Sequence, residues 1–158
     1  MFREIVRARQ ALSRDECVAI LTRELRGVLA VQGDDGYPYA VPINHYYCPE
    51  DGHLYFHSGP TGHKMDAIRR CPKASFCVTD GGERQEGQWF LRFRSVIVFG
   101  EVRMVEDHQR ALDISCALSR KFTDDEDYIR REVEQSGAHV ACFELIPQHI
   151  TGKLVNER

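Results

Sequence analysis

Between Ser58 and Lys64 the chain reads Ser-Gly-Pro-Thr-Gly-His-Lys, which gathers hydroxyls, glycines, an imidazole and an ammonium into one short run. The preceding Leu-Tyr-Phe-His is strand-like, and the following Met-Asp-Ala-Ile-Arg-Arg continues as a short helix that stops before Pro72. A helix that opens at such a turn presents N–H groups without intrahelical partners, together with the positive end of its dipole. Those donors, a hydroxyl and an ammonium in one place are what a phosphate group requires. The stretch 54–72 therefore predicts a site for a phosphate-bearing cofactor. The plainer reading of Lys64 is a solvated lysine at an exposed helix start.

Other reactive side chains are scattered. The six cysteines form no C-x-x-C pair and no zinc or disulfide spacing, so they read as buried thiols, with Cys71 and Cys77 the one conceivable redox pair. The seven histidines form no H-x₃-H or H-E-x-x-H unit, and no metal site is expected. Arg69 and Arg70 suit a helix C-terminus on dipole grounds alone. Trp89, the only tryptophan, lies in the polar loop 80–88 or just beyond it, as a ligand-stacking or packing residue.

The elements that must position these groups follow from periodicity and turn chemistry. With 158 residues, 42% apolar and 28% charged, the chain is expected to form one domain over 1–158. A net charge of -3 argues against a general nucleic-acid or membrane-surface role. No signal-like or membrane-length apolar run is present, so a cytoplasmic location is expected. Ser13-Arg-Asp-Glu16 is a capping box that predicts a helix to about Arg26, with Cys17, Val18, Ile20, Leu21 and Leu25 inward and Gly27 as its stop. Strand-like runs at 28–31 and 37–47 flank Asp35-Gly36, a hairpin signal. Pro38 and Pro42 make the second run an edge, bulged or interrupted strand. Its Asn44 is a candidate for amide contact to a flat polar ligand, or else a turn former.

Further strands are expected at 53–58, at 74–79 and within 90–105, where Val96, Val98, Gly100, Val102 and Met104 share one side and Gly100 marks a bend. A helix should run from Glu106 to about Lys121, with Ala111, Leu112, Ser115 and Leu118 inward, and a charged one over 124–135. Gly137 should break it, with strand returning over 138–146 and a last segment over 150–154 after Pro147. Six or so mostly antiparallel strands with three or four helices make a barrel-centred α+β fold, not a doubly wound one.

The ordered set Gly-Tyr-Pro-Tyr-Ala-Val-Pro-Ile-Asn at 36–44, Tyr-Phe-His-Ser at 55–58, Gly-His-Lys at 62–64, Arg-Ser-Val-Ile-Val-Phe-Gly at 94–100 and the ending Gln-His-Ile-Thr-Gly-Lys resembles the pyridoxamine 5′-phosphate oxidase-like flavoproteins. Within them it is most similar to the nitroimidazole-resistance (Nim-type) branch. That resemblance implies a split β-barrel that binds FMN between two subunits of a homodimer. It implies Ser58 and Lys64 on the phosphate with the turn backbone near Gly62 helping, and Val41 and Asn44 along the isoalloxazine ring or ribityl chain; His63 reads as a helix cap or a phosphate neighbour. Arg94, Ser95 and Val96 would come from the other subunit, and His57, which on its residue type alone reads equally as a hydrogen-bonded core residue, would sit beside the flavin as the catalytic, redox-site residue. The implied activity is electron transfer from NAD(P)H or another reductant to a small acceptor such as a nitro-aromatic compound. The rival readings are a non-catalytic flavin-binding module and a haem-binding or haem-degrading split barrel.

Overall fold

The computed structural model describes residues 1–136 and 140–156. Seven strands, β1 (Arg26–Gln32), β2 (Pro38–Asn44), β3 (Tyr46–Tyr47), β4 (Leu54–Ser58), β5 (Lys73–Thr79), β6 (Arg92–Met104) and β7 (Ala141–Asn156), form one sheet in the order β2-β1-β5-β6-β7-β4-β3. All neighbours are antiparallel. Among the described residues four α-helices accompany it: α1 (Arg14–Arg23), α2 (His63–Arg70), α3 (His108–Ser119) and α4 (Glu126–Ser136). The sheet curls into a half-barrel, and β2 returns to touch β4 across the split. Among the described residues no helix is long and apolar enough to cross a membrane.

The expected capping box forms: Glu16 N donates to Ser13 Oγ at 3.2 Å and Ser13 N to Glu16 Oε2 at 2.7 Å. The helix it opens ends three residues earlier than expected, at Arg23, because Glu24 turns extended and Arg26 already pairs with Asn44. Leu25 is consequently exposed, and Gly27 lies in a strand, packed against Phe76 and the Cys77 carbonyl, where no helix stop is needed. The β1–β2 hairpin turns through Asp35 (φ 53°) and Gly36 (φ 79°), the positive-φ turn expected of Asp-Gly. Its proline-bearing strand is an edge that pairs only with β1 and breaks at His45.

The β6–β7 ribbon carries the curl. Pairing steps from Phe99 opposite His149 to Gly100 opposite Pro147, so Gln148 is the extra residue of a bulge. Gly100 is required there by close approach: a Cβ would run into the Ile146 carbonyl. The same bulge lets Pro147, which has no N–H, remain inside one continuous strand, where two segments were expected. The expected break at Gly137 and strand start at Ala138 lie outside the described residues. Of the residues expected to share one side, Val96, Val98 and Val102 are buried, whereas Met104 at the strand end is exposed.

Two cores result. Leu29, Phe56, Phe76, Val98 and Phe143 fill the concave face beneath Ile20 and Leu21 of α1 and Met65 of α2. Ile114 of α3 covers Tyr55, Cys48 and Cys142 on the other face, so β4 is buried on both sides where simple alternation was expected. All six cysteines are free thiols.

Candidate functional site

β4 pairs with β3 only as far as Tyr55, while β7 accompanies it to Ser58. Past Tyr55 its other side faces the split, and there His57 borders three cavities. One, of about 390 Å³, is lined by Arg26, Pro42, Ile43, Asn44 and His57. The second runs along Ser58 and Gly59. The third lies under α3 and α4.

The chain then turns into α2 through Gly62, whose φ of 113° and ψ of 169° belong to a region that essentially only glycine occupies. No side chain caps this helix, and a Cβ at either Gly59 or Gly62 would meet nothing within 4 Å. The turn backbone is thus open to an approaching group. Lys64 enters from the first turn, half-buried, its Nζ 6.0 Å from the centre of the Phe143 ring. Burial lowers its pKa, and among the described residues no carboxylate pairs with it. The His57 pKa is likewise lowered, by burial first and by the Lys64 charge second, so the imidazole is neutral at neutral pH.

The other cations of this helix are committed elsewhere. Arg69 reaches the Pro60 carbonyl at 2.8 Å and Asp66 at 3.3 Å, which braces the turn. Arg70 holds Asp34 at 3.0 Å and the Gln32 carbonyl at 3.2 Å. His63 also turns to Asp34, at 3.4 Å, and stacks on Tyr39 at 4.1 Å, so its ring neither caps α2 nor faces the open turn. Lys64 is left as the cation at the helix start. Asn44 is held by Arg26, whose Nε donates to Asn44 Oδ1 at 2.8 Å. That contact leaves the Asn44 amide NH₂ to serve a ligand. Val41 is half-buried on the same strand.

The segment 94–96 stands apart. β5 and β1 separate it from β2, and it lines none of the three cavities around His57. Arg94 pairs with Asp80 at 3.2 Å and pins the base of the 80–91 loop. The Val96 side chain is fully buried in the core, so it cannot itself touch a ligand. Trp89 is exposed in that loop, edge-on to Phe90. Among the described residues no group of acidic, histidine or cysteine side chains could hold a metal ion.

The sequence reading missed three features. Arg26 clamps Asn44 from the neighbouring strand, a pairing that required the register. The α3–α4 cavity joins distant elements. His45 is fully buried: its Nε2 donates to the Leu21 carbonyl at 2.7 Å, and its Nδ1 has no partner. A signal for it existed, because Ile43, His45 and Tyr47 share the inward parity.

The match of residues 13–154 to the family described as pyridoxamine 5′-phosphate oxidase covers nearly all of this framework. The chain belongs to that family. Three solved structures show the same fold. A candidate 5-nitroimidazole antibiotic resistance protein from Bacteroides thetaiotaomicron is 22% identical, with TM-score 0.76 over 92% of this chain and 87% of its own. A conserved hypothetical protein from Mycobacterium tuberculosis is 20% identical, with TM-score 0.80 over 95% and 90%. An FAD-binding protein from Mesorhizobium loti is 26% identical, with TM-score 0.67 over 92% and 97%. No curated protein matches the chain. The split barrel and the likeness to a nitroimidazole-resistance protein, both expected from the motifs, therefore stand.

Proposed function

We propose that this pyridoxamine 5′-phosphate oxidase-family protein is an FMN-dependent oxidoreductase that works as a cytoplasmic homodimer. It would pass electrons from NAD(P)H or another reductant to a small acceptor, nitro-aromatic compounds included. The observation that carries the reading is Lys64: a half-buried ammonium without a carboxylate, at an uncapped helix start behind an open glycine turn. Desolvating a cation without a partner is unfavourable, and a phosphate at the same place would reverse that penalty. Among the described residues of the turn and α2, Lys64 is the one lysine or arginine not already engaged, since Arg69 and Arg70 have partners, and one such ammonium suits a phosphate group.

Bound FMN supplies the hydride or electron transfer. The chain's own residues bind and orient it. Ser58, the Gly62 backbone and Lys64 hold the phosphate, Val41 and the Asn44 amide line the ring, and neutral His57 stands where it can hold or release a proton beside the reacting face. Arg94 and Ser95 of a second copy would complete the site, with Val96 anchoring them in the ladder. A second copy is supported by the convex face, where exposed Val28 and Ile97 flank Cys77 in one register row and exposed Phe99 lies two residues on.

The test is a titration of the purified protein with FMN, followed by NAD(P)H and a nitroimidazole. Flavin bands should shift on binding, bleach with reductant and return with the acceptor. Lys64→Ala should weaken FMN binding by about 1.5–3 kcal/mol, the worth of a charge-assisted hydrogen bond. A protein that binds FMN but is inert to reductants would be a binding module. A Soret band, or unchanged affinity in the variant, would overturn the assignment.

A further inference from the structure

The third cavity beside His57 lies between the sheet and the α3–α4 hairpin. It is about 250 Å³ and is lined by His57, Ser115, Ser119, Tyr128, Glu132, Val133 and Val140. His57 is the wall shared with the groove of Asn44 and Arg26. A molecule in this cavity would thus face whatever occupies that groove across a single imidazole.

The lining has a definite polarity. Val133, Val140 and the Tyr128 ring supply an apolar body. The Ser115 hydroxyl already donates to the Ala111 carbonyl at 2.8 Å, so it offers the cavity only an acceptor. Two of the hairpin's arginines are spent on other carboxylates: Arg120 holds Glu126 at 2.7 Å, and Arg130 holds Asp127 at 2.7 Å. Glu132 is left at the rim with no cation among the described residues. Arg131 is its neighbour in sequence and projects in another direction from the helix.

We infer that this cavity binds a small organic cation, an amine carried on one or two aromatic rings, with the rings between Tyr128, Val133 and Val140 and the ammonium against Glu132. The inference rests on the flavin reading for what lies across the shared wall, since that reading puts the flavin on the other side of His57. It rests on the cavity alone for what binds.

Tryptamine and indole-3-propionate carry the same ring system with opposite charges, and calorimetric titration of both, with and without added FMN, tests the inference. Tryptamine should bind tighter by up to about fivefold, the upper end for an exposed ion pair, and Glu132→Gln should erase that preference. Val133→Trp should fill the cavity and abolish binding of both. Equal affinities, a preference that survives Glu132→Gln, or tryptamine binding intact in a folded Val133→Trp protein would each overturn it. Tryptamine binding without any FMN binding would uphold the cavity assignment and sink the flavin reading. FMN binding without tryptamine binding would do the opposite.

Discussion

His45 and His57 both have lowered pKa values, and in both the first cause is burial. Their surroundings differ. His45 is enclosed against Phe76, tied to Leu21 and bordered by Lys121, whose Nζ donates to the His45 carbonyl at 2.9 Å and to the Glu24 carbonyl at 2.6 Å. His57 sits near a strand edge and lines three cavities. A depressed imidazole pKa by itself therefore says nothing about chemistry. Access decides, and access is a property of the sheet edge.

Replacing His45 by Ala removes a core ring and its hydrogen bond, and should cost about 2–4 kcal/mol in denaturant unfolding. FMN affinity should remain within about twofold in the folded fraction, since His45 touches no open cavity. A loss of FMN affinity at unchanged stability would erase the distinction between the two histidines.

Acid should act on His45 almost as strongly. Its pKa falls from an ordinary 6.5 to about 4, through burial and then the Lys121 charge. Between those values the unfolded chain binds a proton that the native chain does not, so stability falls as pH drops through this window. The loss by pH 4 is about 3 kcal/mol from this group. Urea unfolding at pH 7 and pH 4.5 measures it, and His45→Phe should flatten the slope.

The smallest effect on stability belongs to His57. His57→Ala should change unfolding free energy by less than about 1 kcal/mol, yet alter the rate of acceptor reduction and its pH profile. If rate and profile are both unchanged, His57 is only a wall between cavities.

Much of this was legible in the chain. The capping box at Ser13, the positive-φ turn at Asp35-Gly36, the edge character of the strand with Pro38 and Pro42, and the bend at Gly100 all come from local rules that tertiary context did not override. The turn from Ser58 to Lys64 was legible for the same reason: a helix start behind glycine has free donors wherever it is placed. Where reading failed, long-range contacts were in control. Leu25 lost its helix because β1 needed Arg26 opposite Asn44, and β7 kept Pro147 because a bulge absorbed it.

By itself, then, the sequence determined the elements, their turns and an anion-suited helix start, since each depends on neighbours within a few residues. Asp66 and the Pro60 carbonyl engage Arg69 within its own turn and helix, but the capture of Arg70 and His63 by Asp34 was decided only by the tertiary structure. The same holds for the register that lets Arg26 hold Asn44, and for the α3–α4 hairpin that closes a cavity over His57. Ion pairing and cavity shape depend on where distant chain segments meet, and that meeting is set by burial of the shared core.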